Sequence, residues 1–328
     1  MIDRRTFLLC LTAAIPRFAG AQSAPKMLRI GIVTSGFKSA EMVGPNPPNA
    51  SVAALLRGLR ELGYEYGRDF VTEPRGGDGR TEHYAALATE LARLPVDVIV
   101  AGGPTLGGAM QATSTIPIVL VGGALDPVRD GFVRSLGKPG GNVTGISIQQ
   151  VDTTAKRLEL LKELTTASPV ATLWEQTSRT SWQAVRTAAE ARGWELVSLE
   201  VSKGADIAAA FRTATAVKAG ALLVVGGGRI FGSRQQVVDL AAAHRLPAMY
   251  SLRGFVEAGG LMSYGANLEE GWRRAATFVD RIAKGARPAD MAIEQPTSFQ
   301  LVINQKTART LGIAVPQSLL VRADEIIR

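Results

Sequence analysis

The sequence predicts an α/β protein made of two doubly wound parallel-sheet lobes in tandem. Three observations carry this. The apolar strand candidates, such as 96–101 and 221–225, are continuous runs, which suits parallel strands covered by helices on both faces. Strand and amphipathic-helix candidates alternate, as right-handed βα crossovers require. The alternation runs once from residue 28 to 121 and again from 153 to 251, and 328 residues are enough for two lobes.

The first series opens with the strand Leu28-Arg29-Ile30-Gly31-Ile32-Val33. Asn49 is placed to cap a helix bearing Val52, Leu55, Leu56, Leu59 and Leu62 at helical spacing, and Gly63 stops it. A strand follows at 69–73, then a helix at 81–94 with Tyr84, Leu87, Leu91 and Leu94 on one face. Strands at 96–101 and 116–121 end in Gly102-Gly103-Pro104 and Gly122-Gly123. The second series predicts a helix at 153–164, a strand at 170–174, a helix near 181–192 and a strand at 195–201. Asp206 is read as the cap of a helix showing Ile207, Ala210, Phe211, Ala214 and Val217, followed by a strand at 221–225. A helix at 235–244 and a strand at 247–251 complete it. In the tail, Asn267 and Glu270 resemble a capping box before Trp272, Ala276, Val279 and Ile282. A strand at 299–303, a short helix at 307–311 and a final segment at 316–328 follow, too small for a third domain.

The N-terminus reads as a secretory leader. Arg4 and Arg5 precede an uncharged, mostly apolar stretch at 6–16, and Ala19-Gly20-Ala21 gives a small-x-small cleavage site. The apolar run ends at Arg17, short of the roughly 20 residues that a membrane span needs. Arg4-Arg5-Thr6-Phe7-Leu8 also resembles a twin-arginine signal, with Asp3 and Leu9 departing from it, so both export routes stay open. Cleavage after Ala21 removes Cys10, the sole cysteine, which has Leu9 where a lipoprotein site needs a small residue. It also removes Arg4, Arg5, Arg17 and Asp3, lowering the formal charge from +8 to +6. The basic excess is dispersed and not interleaved with aromatics, which argues against nucleic acid as a partner.

Catalytic patterns are missing from the sequence. The two histidines, His83 and His244, fall in predicted amphipathic helices and are expected to be surface groups. No cluster with metal-ligand spacing, nucleophile elbow or phosphate-binding loop occurs, so no metal, cofactor or catalytic residue is expected. The informative pattern is positional. Polar or glycine-rich loops follow nearly every strand, and in open α/β sheets ligands bind beyond the strands' carboxyl ends. Two lobes with facing edges would aim these loops into one cleft. The candidate ligand-binding residues are Ser35, Gly103, Pro104, Thr105, Asp126, Glu175, Gly226, Gly227, Gly228 and Ser251. Pro104 suits a first helical turn, so Thr105 is expected to bind a carboxylate-like group and to matter more than either histidine.

Several segments together resemble a known family. They are Ile116-Pro117-Ile118-Val119, Asp126-Pro127-Val128, Asn142-Val143-Thr144-Gly145, Gly259-Gly260-Leu261-Met262-Ser263-Tyr264-Gly265, Leu301-Val302-Ile303-Asn304 and Arg322-Ala323-Asp324-Glu325-Ile326-Ile327. In this order they resemble the type I periplasmic binding proteins of ABC importers, in the branch with tryptophan and tyrosine importer binding proteins. The resemblance implies three hinge crossovers, near 145–150, 261–265 and 296–299. After the leader at 1–21, the two βα series and the small tail give one lobe from 28–145 plus 265–297, and another from 150–262 plus 300–328. A periplasmic monomer that binds a small molecule between its lobes and passes it to ABC permease subunits is the implied function. A sensory subunit for a membrane receptor, or a cleft enzyme, are the alternatives. Amino-acid binders of this branch tend to carry an aspartate-asparagine pair after the second lobe's central strand. This chain has Gly227-Gly228-Arg229 there, with Glu175 as the acid that could substitute, which leaves room for a carboxylate or another anionic or aromatic ligand.

Overall fold

The computed structural model describes residues 27–123, 126–148, 150–203 and 206–328. The expected leader, with Arg4, Arg5, Cys10 and the cleavage point after Ala21, lies outside them. The first sheet collects β1 (Leu28–Thr34), β2 (Phe70–Gly76), β3 (Val98–Gly102), β4 (Ile118–Val121) and β5 (Val143–Ile146). All pairs are parallel, in the order β2-β1-β3-β4-β5. Its helices are α1 (Ala50–Glu61), α2 (Tyr84–Arg93) and α3 (Leu106–Ala112). The Asn49 side chain accepts the Val52 N–H at 3.0 Å, which fixes where α1 begins. Its stripe of Val52, Leu55, Leu56 and Leu59 is fully buried.

The second half supplies α4 (Gln150–Leu164), β6 (Val170–Trp174), α5 (Arg179–Glu190), β7 (Leu196–Glu200), α6 (Asp206–Ala216) and β8 (Ala221–Gly226). Next come α7 (Gly228–Gly232), α8 (Arg234–Ala243), β9 (Ala248–Tyr250), α9 (Arg253–Glu257) and β10 (Met262–Gly265). The tail adds α10 (Leu268–Ala283), β11 (Gln300–Asn304), α11 (Gln305–Leu311), α12 (Gln317–Arg322) and β12 (Glu325–Ile327). The second sheet runs β12-β11-β10-β9-β8-β6-β7, parallel except where β11 meets β10.

Each sheet is covered on both faces, which is why its strands read as unbroken apolar runs. In the first lobe Leu91, Leu106 and Ala109 cover Ile99 and Leu120, while α1 and α10 cover Ile30 and Val100 from the other side. In the second, α4 and α5 cover Val170 and Leu223, and α6 and α8 cover Leu173 and Val224. The chain passes between the lobes three times: from β5 into α4, from β10 into α10, and from Glu294, bonded to the β5 backbone, into β11.

Some local expectations need correction. The helix at 81–94 opens as a tight 3-10 turn, Thr81–His83, before α2. Asp206 does not cap the interior of α6; its carboxylate accepts the Ser202 and Lys203 N–H groups and closes the preceding turn. His83 and His244 are half-buried, and His244 Nδ1 lies 2.7 Å from the Thr215 hydroxyl. Among the described residues no helix is long and apolar enough to cross a membrane.

Candidate functional site

The carboxyl ends of the two sheets face one another across the hinge. β1, β3 and β4 deliver Thr34, Ser35, Gly36, Gly102, Gly103, Pro104, Val121 and Gly123 from one side. β8 and β9 deliver Gly227, Gly228 and Leu252 from the other, with Phe231 following in α7. Ile148, Leu268 and Trp272 close the hinge side. The cavity between them is partly open, measures about 70 Å³, and none of its described lining residues is charged. It continues through Phe37, Phe231, Leu252 and Leu268 into an outer pocket of about 430 Å³, which Glu41, Arg234, Arg253, Glu257 and Glu269 rim. A larger groove, about 900 Å³, lies at the amino ends of the first sheet's strands, beside Leu28, Asp97 and Pro117. Its place on the fold, not its size, sets it aside, because ligands of open α/β sheets bind at the opposite edge.

Of the ten residues singled out from sequence, Ser35, Gly103, Pro104, Gly227 and Gly228 line the cavity. The structure places the other five differently. Thr105 is fully buried, and its hydroxyl lies 3.1 Å from the Val33 carbonyl and 3.0 Å from that of Gly102, so it ties the loop to β1. Asp126 accepts the Val128 and Arg129 N–H groups, both at 3.0 Å, and so caps its own turn. Gly226 is buried at the end of β8 with φ of 112°. Ser251 is buried behind Leu252, and its hydroxyl makes no hydrogen bond among the described residues.

Glu175 is the informative case. Its carboxylate accepts the N–H groups of Arg229 at 3.1 Å and Ile230 at 3.2 Å, and the Thr177 hydroxyl at 2.5 Å. It sits directly behind Gly227, where any side chain would collide with it. The acid expected to reach the ligand therefore holds the wall in place. Burial pushes its carboxyl pKa up, and the Thr177 hydroxyl, the backbone N–H groups and the Arg229 charge pull it back. Burial, then the Glu175 charge, raises the Tyr84 hydroxyl as well.

Arg229 leaves that wall and crosses to the other lobe. Its guanidinium donates to the Thr81 hydroxyl and to the Glu82 carboxylate, each at 3.0 Å. Phe37 and Phe231 meet across the cleft edge to face, with ring centroids 5.7 Å apart. The residues that sequence reading missed are these aromatics and Trp272. Phe37 and Phe231 had a signal, since each is a large apolar residue in a loop-like polar stretch. Trp272 had none, because it belongs to the buried stripe of α10.

Two α/β lobes on three crossovers, with a small cavity at their facing carboxyl edges, define a two-lobed solute-binding protein. The comparisons agree. The family model for ABC transporter substrate binding protein matches residues 43–327. The chain belongs to that family. A protein of Clostridioides difficile (strain R20291) named tyrosine-binding protein is 26% identical over 265 residues, covering 79% of this chain and 75% of that one. An ABC domain from Streptococcus pneumonia, solved in complex with L-Trp, is 25% identical with a TM-score of 0.82, covering 92% of this chain and all of the other. A conserved domain protein from Vibrio cholerae matches with the same identity, coverage and TM-score.

Proposed function

We propose that this protein, exported by its leader and cleaved after Ala21, captures a small solute between its lobes and hands it to the permease of an ABC importer, without chemistry on it. The observation that carries the reading is the uncharged cavity at the meeting of the two carboxyl edges. At about 70 Å³ the inner cavity is far below the roughly 300 Å³ of a typical ligand pocket, so it holds a whole solute only when the lobes part. The walls favour an aromatic or apolar body against Phe37, Phe231, Leu268 and Trp272. The relatives named for tyrosine and crystallised with L-Trp support the same class. A binding role suits this lining, in which Thr34 and Ser35 supply hydroxyls among apolar walls. The lobes are read as 28–145 with 265–297, and 150–262 with 300–328, supported by the packing of α10 on α1 and the pairing of β10 with β9 and β11.

The test is thermal unfolding of residues 22–328 with a panel of aromatic and carboxylate solutes, beside mass spectrometry of what co-purifies. A true ligand at a hundred times its Kd adds about 2.7 kcal/mol, a Tm rise of several degrees. A folded protein with no co-purifying solute and no shift, in a strain whose uptake survives deletion of the gene, would end the proposal.

A further inference from the structure

We infer that Arg229 is a clasp that holds the two lobes shut by contacts of the protein with itself, so that closure does not wait for solute. The inference builds on the reading of the cleft as the solute site and concerns how that site is gated.

The geometry is that of a braced arm. At its root, the Arg229 and Ile230 N–H groups are both held by the buried Glu175 carboxylate, which fixes the loop after β8. At its tip, one guanidinium nitrogen reaches Thr81 and Glu82, in the 3-10 turn of the opposite lobe. The Arg229 side chain is only 10% exposed, whereas Glu82 is 59% exposed. The cation is therefore enclosed at the interface while its partner approaches from solvent. A charge enclosed in this way interacts more strongly than an exposed pair, which water and salt weaken.

The surrounding backbone is shaped for the same contact. Gly36, Gly79 and Gly228 lie where the lobes touch. A side chain on Gly228 would come within 2.5 Å of Ser35 and of the Tyr84 hydroxyl, and one on Gly79 within 3.3 Å of the Arg229 Cα. These contacts join protein to protein, with Thr180 donating to Asp130 at 2.9 Å as a further link between the lobes. A solute that closes the lobes then adds to an existing bias instead of supplying the whole driving force, and the population rule for two-state closure applies.

The experiment needs no solute. In protein made from residue 22, Val43→Cys and Val217→Cys introduce one exposed thiol on each lobe and no other cysteine remains. Dye-labelled single-molecule energy transfer then reads the lobe separation directly. The expected result is a dominant closed population in the otherwise unchanged protein. Removing a hydrogen-bonded charge should lower the closed-to-open ratio about tenfold for Arg229→Ala and about threefold for Glu82→Ala. Glu82→Ala changes an exposed side chain, so it decides the matter even where Arg229→Ala fails to fold. Distance distributions that are the same in all three proteins overturn the clasp. That result leaves solute binding intact, while failure of the thermal-shift panel leaves the clasp intact.

Discussion

Thr105 shows how the partners of a single side chain depend on the fold around it. Pro104-Thr105 at the start of a helix looks like an anion contact, yet the hydroxyl faces the Val33 and Gly102 carbonyls. Thr105→Val is expected to lower stability by about 1 kcal/mol and to leave solute affinity unchanged, measured by urea unfolding and calorimetry. Thr105→Ser, which keeps the hydroxyl, should show little loss in either. A loss of affinity at full stability would return Thr105 to the binding surface. Sequence could place Thr105 at a strand's carboxyl end but could not tell which way it turns, because adjacent residues of a tight turn point in different directions. Glu175 finds partners that the sequence does not reveal, for a related reason. It lies in the right loop, but the backbone N–H groups that claim its carboxylate belong to residues 229 and 230, which only the fold brings near.

At the scale of elements, what could be read followed from length and period. The strands at 28–33 and 170–174 and the helices at 50–61 and 268–283 carry long, regular apolar patterns with Asn49 and Asn267 as caps. The sequence signals only the start of α3, at Pro104, and gives no sign of α7 and α9, because five residues are too few for a helical period to register. Those short pieces surround the site, so the site was legible as a set of loops but not as a surface. Gly103 is where the loops after β3 and β4 press together. Its φ is 23°, and a side chain there would collide with Gly123. Gly103→Ala should therefore cost about 1–3 kcal/mol and weaken solute binding as well, since both loops line the cavity. Gly137→Ala, with open space around it, is the control expected to change neither. Equal Tm values for the two variants would show that the loops can spread freely.

The whole molecule is more interlocked than two tandem lobes suggest. All five strands of the first sheet lie before residue 147, but one face is covered by α10 from far along the chain. Leu55, Leu56 and Leu59 pack with Trp272, Ala276, Phe278 and Val279, and the two helices cross closely enough that a side chain on Gly58 would collide with the Arg273 carbonyl. Residues 28–148 alone should consequently bind a hydrophobic dye and unfold without cooperativity. Joining 266–297 to them through a flexible linker should restore a sharp transition in differential scanning calorimetry. A sharp transition in 28–148 alone would refute the dependence on α10. The same placement of α10 sets a timetable. Synthesis proceeds from the amino end, so the lobe begun first cannot be finished until Ala283 has left the ribosome, near the end of translation. For most of its birth the polypeptide holds a half-clad sheet, so its own topology delays the collapse of the lobe begun first.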